Sequence, residues 1–232
     1  MEKDSELLKG RCSQDRCCGL HLTLAVIGLL LALFCFGLIA ADWMHKGSLY
    51  YLDFEVQRLV AGIVNPTLTI FFAHVAFLGS GPLFWWLAVL LLVILLLKKE
   101  WCTSLSLLVI VWVGDRLLSF LKTFFHRARP LPQLVPEHGY SFPSGHSFHS
   151  MALYGFIIYL TWKLVRTSWL RSLIFILCAL LILLIGFSRI YLNVHWLTDV
   201  LGGFCSGFSW LMINILALEI IKPRRQEQPH SD

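Results

Sequence analysis

Charged side chains are scarce in this sequence: only 14% of its 232 residues are Asp, Glu, Lys or Arg, against about 25% in soluble proteins. Hydrophobic residues make up 57% of the chain, and the mean hydropathy is +0.72. This composition excludes an ordinary soluble domain. It is typical of a polytopic membrane protein that folds as one compact helical domain.

Residue groups that bind metals are also missing. The seven cysteines show no paired spacing of the metal-binding type, and no set of Asp and Glu residues is placed to hold Mg²⁺. The extramembrane cysteines cluster near ends that we assign to the cytoplasm, so free thiols are expected rather than disulfides. The net charge of +5 is better explained by membrane topology than by an acidic partner, so no nucleic acid partner is expected.

The first apolar run, residues 20–41, is long enough to cross a hydrocarbon core of ~30 Å at 1.5 Å per residue. Residues 42–78 contain several charged groups and an Asn-Pro break. This pattern predicts short helices that lie at the membrane interface, with aromatic residues at headgroup depth. A full span over residues 61–78 is the alternative.

Five further spans are predicted along the rest of the chain, at residues 83–97, 102–121, 147–162, 173–187 and 197–221. The fold class is therefore all-α, a polytopic membrane bundle of six transmembrane helices with short interfacial helices between the first two. The membrane domain covers residues 20–221. A polar tail precedes it at residues 1–19 and another follows at residues 222–232.

Lys and Arg residues are distributed unevenly between the two sides of this bundle. Six spans put both termini on one side, and that side holds 12 of the 19 basic residues. Of the other seven, all but Lys46 and Arg58 lie in or beside three polar motifs. By the positive-inside rule, both termini are cytoplasmic and the motifs face the extracytoplasmic side of the cell membrane. A seventh span at residues 61–78 would reverse the orientation and violate that rule.

The three motifs interrupt an otherwise apolar sequence. They are KTFFHRARP at 122–130, FPSGHS at 142–147 and SRIYLNVHWLTD at 188–199. Their candidate site residues are a Lys and two Arg as cations, two His as imidazoles, an Asp as carboxylate and a Ser-Gly turn. Such a set can bind a phosphate and break its ester bond.

The first two motifs favour anion binding. Arg129 can hold two phosphoryl oxygens with its planar guanidinium, beside Lys122 as a point charge; the alternative is that both simply reach toward lipid headgroups. Ser144 and Gly145 precede an apolar span, where backbone N–H groups and the Ser144 hydroxyl can bind an anion at a helix N-terminus. An ordinary N-cap turn is the alternative there. His146 is placed to give a proton to a departing alkoxide.

The third motif favours a histidine that is oriented by a carboxylate. His195 and Asp199 are four positions apart and would share one face of a helix. Asp199 can accept from one ring nitrogen, which leaves the other unprotonated and pointed at the substrate. Arg189 adds the third cation. A structural hydrogen-bonded pair is the alternative, but it explains poorly why all these residues fall at one membrane surface.

The three motifs resemble the signature of the type 2 phosphatidic acid phosphatase family, which is K-x6-R-P, then P-S-G-H, then S-R-x5-H-x3-D. The chain matches every fixed position, namely Lys122, Arg129, Pro130, Pro143, Ser144, Gly145, His146, Ser188, Arg189, His195 and Asp199. The motifs extend over residues 122–199, and the six-span layout extends the likeness to the whole chain. Size and span count look most like the bacterial branch of the family.

This resemblance implies an integral membrane lipid phosphatase that needs no metal and no other cofactor. His195 would attack phosphorus to give a phosphohistidine, Asp199 would orient it, and His146 would protonate the leaving lipid hydroxyl. The groups expected to bind phosphate are Lys122, Arg129, Ser144, Gly145 and Arg189. The expected partners are membrane lipids, and the candidate substrates are phosphatidylglycerophosphate, phosphatidate and undecaprenyl diphosphate.

Two alternatives remain at this stage. A phosphotransferase would pass the phosphohistidine group to another lipid instead of water. A transporter or channel would use the cations as an anion site, but internal repeats and broken midplane helices, which would support it, are not evident.

Overall fold

The computed structural model describes the backbone of residues 2–221 and the side chains of residues 22–221, and this part of the chain forms helices and no strand. The helices are α1 Glu2–His45, α2 Ser48–Ala61, α3 Pro66–Leu78, α4 Gly81–Leu97, α5 Trp101–Leu108, α6 Gly114–Phe125, α7 Gly145–Leu164, α8 Ser168–Tyr191 and α9 Leu197–Ile221. The all-α prediction is confirmed. The tail predicted at residues 222–232 lies outside the described residues, and the one predicted at 1–19 is described only as backbone within α1.

Five segments are long and apolar enough to cross a membrane, which fits a multi-pass membrane protein. They are Leu22–His45, Pro66–Leu97, Trp101–Phe125, Ser168–Tyr191 and Leu197–Ile221. Helix α7 is not among them, because its 20 residues include two histidines and several hydroxyl side chains. It is nevertheless ~30 Å long and packs against α8 and α9, which cover its polar groups. The count of six spans therefore stays a prediction.

Residues 42–78, predicted to form interfacial helices, contain α2 and α3. Asn65 caps α3, since its Oδ1 accepts a hydrogen bond from the Leu68 N–H at 2.9 Å and Pro66 occupies the first turn. Helix α3 has 13 residues and is about 20 Å long, too short to cross a bilayer alone. With α4, after a two-residue break, it forms the apolar stretch Pro66–Leu97. The interfacial location of α2 and α3 stays a prediction.

Helix α3 packs against the end of α8 that carries part of the third motif. The ring of Phe72 lies 4.5 Å from that of Tyr191 and 5.3 Å from that of Phe187, measured between ring centroids. The buried Tyr191 hydroxyl also accepts a hydrogen bond from the Asn65 N–H at 3.0 Å. These contacts fix the last turn of α8, where Arg189 lies.

A π-helical segment, Val109–Val113, joins α5 to α6. Such segments interrupt the i→i+4 hydrogen-bond pattern and often lie near functional sites. Here the Ile110 carbonyl accepts a hydrogen bond from the Trp210 indole N–H at 3.1 Å. This contact ties the π-helical segment to α9 and so sets the direction in which α6 carries Lys122.

Helices α7 and α9 approach each other closely at two glycines. A Cβ placed on Gly203 would lie 2.6 Å from the Ser144 carbonyl oxygen, and one on Gly207 would lie 2.6 Å from the Phe148 carbonyl oxygen. Any larger residue would therefore push the helices apart. The close approach brings the N-termini of α7 and α9, with the second and third motifs, to the same end of the bundle.

Candidate active site

The three motifs meet where α6 and α8 end and where α7 and α9 begin. The Ser144 N–H donates to the Asp199 carbonyl at 2.9 Å and so joins the second motif to the third. The Arg189 carbonyl accepts hydrogen bonds from the N–H groups of Val194 and His195, both at 3.2 Å. These bonds close the turn between α8 and α9 and place His195 next to the last turn of α8.

His195 lies in this turn and is only 1% exposed. Its Nε2 lies 3.0 Å from Nη1 of Arg129. A guanidinium has donors and no acceptor, so Nε2 must accept, and the proton of a neutral imidazole is then on Nδ1. The first motif therefore meets the third at the unprotonated nitrogen of His195.

The imidazole of His195 is held in its neutral form. Burial lowers its pKa well below the ordinary value, and the positive charges of Arg129, Lys122 and Arg189 lower it further. The ring therefore keeps a lone pair on Nε2 at neutral and mildly acidic pH. This is the protonation state that a nucleophilic histidine needs.

Asp199 faces His195 at a longer distance than a formed hydrogen bond. Its Oδ2 lies 3.4 Å from the buried Nδ1, and the backbone of Ser141 also interacts with the imidazole. The prediction put both residues on one helix. Helix α9 begins only at Leu197, so His195 lies in the turn before it, and Oδ2 accepts from the Trp196 N–H at 2.9 Å. A shift of a few tenths of an ångström would bring Nδ1–H into the normal range, as often happens when a substrate binds.

Arg127, a variable position within the first motif, is buried against Asp199. Its Nη1 donates to Asp199 Oδ1 at 2.8 Å, and its Nη2 donates to Asp53 Oδ2 at 2.5 Å. Asp53 also accepts from the Thr198 N–H at 2.9 Å and from the Thr198 hydroxyl at 2.6 Å. Two fully buried carboxylates from different helices therefore share one guanidinium.

Sequence reasoning did not identify Arg127 or Asp53 as site residues. Neither is a fixed position of the signature, and Asp53 lies in the segment predicted to be interfacial. The available signal was a carboxylate in a membrane protein, which needs a partner when it is buried. The partner, Arg127, is 74 positions away in the sequence. The indole rings of Trp43 and Trp196 lie 4.7 and 5.6 Å from the guanidinium carbon of Arg127.

The guanidinium of Arg129 is fixed mainly by backbone carbonyl groups. Besides the His195 ring, it contacts the carbonyls of Val194, His138 and Gly139 at 2.8, 3.0 and 3.0 Å. Its side chain is only 7% exposed. The planar group is therefore preorganised, which favours binding of an oxyanion at this point.

Glu137, which sequence reasoning also missed, lies among the three cations of the motifs. Its Oε1 pairs with Nη2 of Arg189, and its Oε2 lies 3.7 Å from Nη2 of Arg129. Lys122, which donates to the Tyr140 carbonyl at 3.0 Å, also interacts electrostatically with this carboxylate. A carboxylate of the protein itself thus lies among the cations predicted to bind phosphate.

The start of α7 differs from the prediction at Ser144. This residue is fully buried, and its N–H already donates to the carbonyl of Asp199. Its hydroxyl oxygen lies 3.5 Å from the Ser147 N–H and 3.1 Å from the Ser147 hydroxyl. Ser144 is therefore an N-cap, the alternative given above, and its N–H is used by the contact with α9. Its hydroxyl oxygen only accepts in these contacts, so the role of the Ser144 hydroxyl in phosphate binding stays a prediction. Gly145 follows it half-buried at the positive end of the helix dipole.

His146, the second residue of α7, belongs to the same cluster. Its ring interacts electrostatically with Arg189, His195 and Lys122. A Cβ placed on Gly79 would lie 3.5 Å from the ring, so the start of α4 is close as well. Both predicted histidines therefore lie in one cluster with the three cations.

The helical membrane bundle and this cluster define a class of protein. Residues 99–219, which contain all three motifs, match the model of the PAP2 superfamily, and the chain belongs to this superfamily. It is a membrane lipid phosphatase, an enzyme that hydrolyses lipid phosphates. The family resemblance inferred from the motifs is confirmed.

Individual relatives support the same class. The chain is 35% identical over 183 residues to phosphatidylglycerophosphatase B of Bacillus subtilis (strain 168). The aligned region covers 76% of this chain and 88% of that protein. The crystal structure of the PAP2 type phosphatidylglycerolphosphate phosphatase from Bacillus subtilis matches with a TM-score of 0.78 at 30% identity, over 85% of this chain and 98% of that one. The crystal structure of Aquifex aeolicus LpxE matches with a TM-score of 0.56 at 30% identity, over 71% and 94% of the chains. These findings favour a hydrolase over the transporter alternative.

Proposed function

We propose that this phosphatase dephosphorylates phosphatidylglycerophosphate, or the related phosphatidate or undecaprenyl diphosphate, through a phosphohistidine on His195. The observation that carries the proposal is the unprotonated Nε2 of a buried, neutral imidazole, 3.0 Å from Arg129 and within the field of two more cations. The name of the similar Bacillus subtilis protein makes phosphatidylglycerophosphate the first substrate to test.

The first half of the reaction transfers the phosphoryl group to the enzyme. Nε2 of His195 forms a bond to phosphorus while the bond from phosphorus to the lipid oxygen breaks on the opposite side. The substituted imidazole becomes positively charged. Asp199, which faces Nδ1–H at 3.4 Å, stabilises that charge and holds the ring in line.

Charge on the phosphoryl oxygens is stabilised by Lys122, Arg129 and Arg189, together with the free backbone donor of Gly145 at the start of α7. The N–H of Arg129 that donates to Nε2 turns to a phosphoryl oxygen once Nε2 is bonded to phosphorus. Burial and the neighbouring cations lower the pKa of His146 in the free enzyme, so this ring takes up a proton when the negatively charged phosphate binds beside it. It then gives that proton to the departing lipid alkoxide.

The second half of the reaction restores the enzyme. A water molecule attacks phosphorus, and His146, now neutral, accepts a proton from that water. The bond between phosphorus and Nε2 breaks, its electron pair returns to the ring of His195, and inorganic phosphate leaves. No step requires a metal ion, because three fixed cations compensate the developing charge.

We also propose that the site faces the extracytoplasmic side, with six spans and both termini in the cytoplasm. Helices α4 and α7 both begin at the site and run away from it. Their far ends carry Lys98 and Lys99 after α4, and Lys163 and Arg166 around the end of α7. The positive-inside rule puts that far end in the cytoplasm.

The proposal is tested with purified protein in detergent micelles. Phosphate release is measured from phosphatidylglycerophosphate, phosphatidate, undecaprenyl diphosphate and a soluble phosphate ester, and a substrate labelled in its phosphate is used to trap an acid-labile phosphoprotein. His195→Gln should abolish both signals. The matched control is His74→Gln, an exposed histidine on α3. Labelled lipid acceptor without free phosphate would instead identify a phosphotransferase.

A further inference from the structure

We infer that Glu137 is a specificity-determining residue that keeps the phosphodiester headgroups of surrounding lipids out of the phosphate site. The inference rests on the proposed function, in which Lys122, Arg129 and Arg189 bind the scissile phosphate. Glu137 occupies that place in the substrate-free enzyme and is displaced only by a ligand that carries more negative charge than a carboxylate.

The two oxygens of the Glu137 carboxylate lie where two oxygens of the phosphoryl group would bind in the proposed complex. One carboxylate oxygen pairs with Nη2 of Arg189, and the other lies 3.7 Å from Nη2 of Arg129. The side chains of Arg129 and Arg189 are 7% and 3% exposed, whereas that of Glu137 is 27% exposed. The cations therefore lie inside the site, and the carboxylate covers them at the opening.

Glu137 is an incomplete substitute for phosphate. Nε–H and one Nη2–H form one edge of a guanidinium, and this edge can bind two oxygens of one oxyanion. In Arg189 only Nη2 is used by Glu137, while Nε is buried with no hydrogen bond to any described residue. A phosphate bound along this edge satisfies both donors, so it gains a hydrogen bond that the carboxylate does not make.

Displacement of Glu137 is sterically simple. The residue lies in the connection between α6 and α7, outside the helices, and its backbone N–H is held only by the side chain of Gln133 at 3.0 Å. Gly139, two residues further on, has a φ of +76°, a conformation that glycine adopts without strain. Because the Glu137 side chain is partly exposed, it can turn toward water.

Charge then decides which ligand displaces Glu137. A phosphodiester carries one negative charge, as the carboxylate does, so the exchange gains no Coulomb energy. A phosphomonoester has a second pKa near 6 and carries nearly two charges at neutral pH, so it gains about one more charge among three cations. An enzyme whose site opens at a membrane surface is surrounded by phosphodiester lipids at high local concentration, and this exchange excludes them.

The test compares the wild type with Glu137→Gln, which keeps the size of the side chain and removes its charge. Kinetics are measured on phosphatidate in mixed micelles, with phosphatidylglycerol added at fixed surface fractions as the diester competitor. Glu137→Gln should lower KM for phosphatidate and lower the inhibition constants of inorganic phosphate and of phosphatidylglycerol. The three constants should fall by a similar factor, about tenfold, because Glu137 competes with each ligand for the same cations.

The control is Glu55→Gln, which removes the same charge from an exposed residue of α2, and it should change none of these constants. A raised KM without stronger diester inhibition would mean that Glu137 only supports Arg189, and unchanged constants would mean that it has no role; either result overturns the inference. If Glu137→Gln does not fold, Glu137→Asp should show a smaller drop of the same kind. Failure of the proposed function is distinct, because the wild type itself would then release no phosphate from any monoester.

Discussion

Asp53 of α2 and Asp199 of α9 bind the same buried guanidinium, that of Arg127, at 2.5 and 2.8 Å. Asp199 in turn faces Nδ1 of His195. A buried carboxylate that lost its cation would take up a proton or rotate away. Helix α2, which contains no residue of the family signature, therefore holds in place the cation that pairs with Asp199.

Asp53→Asn should lower kcat more than it changes KM. The substitution removes one charge from the shared guanidinium, so Arg127 and Asp199 lose their fixed geometry, while the phosphate-binding cations are not in contact with Asp53. A misplacement of this kind costs on the order of 10–100-fold in rate. The measurement is kcat and KM on phosphatidate, with the unfolding temperature recorded for each variant.

A double-mutant cycle separates positioning from stability. If Asp53 acts through Asp199, then Asp53→Asn should cost little in an Asp199→Asn background, because the carboxylate that it positions is already absent. If the rate loss of the double variant equals the product of the losses of the two single variants, the link between Asp53 and Asp199 is contradicted. Arg127→Ala is the harsher change, because it leaves buried carboxylates unpaired, and should lower the free energy of unfolding by about 3–5 kcal/mol.

The sequence was sufficient to predict the helical class and the location of the motif residues. Apolar runs of membrane-spanning length identify helices whatever their neighbours are, and the chemistry of Lys122, Arg129 and His195 follows from side-chain type. The spans predicted from residue 83 onward end within five residues of the observed helix ends, but α1 begins at Glu2, well before the predicted start at residue 20. Both histidines and all three cations do come together in one cluster.

Tertiary contacts account for what the sequence did not predict. The pairing of Asp53 with Arg127 and the place of Glu137 among the cations depend on how distant segments meet. Ser144 was predicted to offer its N–H to phosphate, but the approach of α9 gives that group an internal partner. The span predicted at residues 147–162 does fall in α7, but the polar residues of this helix keep it out of the five long apolar segments, although its neighbours cover them.

Membrane orientation is tested by cysteine labelling in intact cells. Leu131 lies in the connection that carries the first motif and is 80% exposed, so Leu131→Cys should react with a thiol reagent that cannot cross the membrane. Arg171→Cys, near the start of α8, should react only after the cells are opened, because we expect that end to be cytoplasmic. The wild type measures the background from native cysteines. The reverse pattern would overturn both the orientation and the extracytoplasmic site.

Metal removal should leave the activity largely intact. Within residues 22–221 no group of three or more His, Cys, Asp or Glu side chains is arranged to hold an ion, and we expect three fixed cations to supply the positive charge instead. Excess chelator should therefore reduce phosphate release little, whereas vanadate, which can adopt five-coordinate geometry, should inhibit. Loss of activity on chelation that Mg²⁺ restores would contradict the metal-free mechanism.

The acid limb of the pH profile should shift when a neighbouring cation is removed. Burial and then Arg129 lower the pKa of His195, so the wild type should keep its nucleophile unprotonated below the ordinary histidine value of about 6.5. Arg129→Gln removes a positive charge next to the ring, so that pKa should rise and the acid limb of kcat/KM should move to higher pH. The wild type and Arg129→Gln are measured on the same substrate, so titration of the substrate's phosphate affects both pH profiles equally. An acid limb that does not move would exclude His195 as the titrating group.

The two histidines should respond differently to the leaving group. Removal of His195, as in His195→Ala, eliminates the nucleophile, so no substrate can form the covalent intermediate. His146→Ala removes only the proton donor, whose contribution is typically about 10²–10⁴-fold. A nitrophenolate is a weak base and departs without a proton, so a nitrophenyl phosphate should restore much of the activity of His146→Ala and none of that of His195→Ala. Rates are compared on phosphatidate and on the nitrophenyl ester for both variants. Equal dependence on the leaving-group pKa would mean that the roles of nucleophile and acid are assigned wrongly, because only a proton donor becomes dispensable when the leaving group needs no proton.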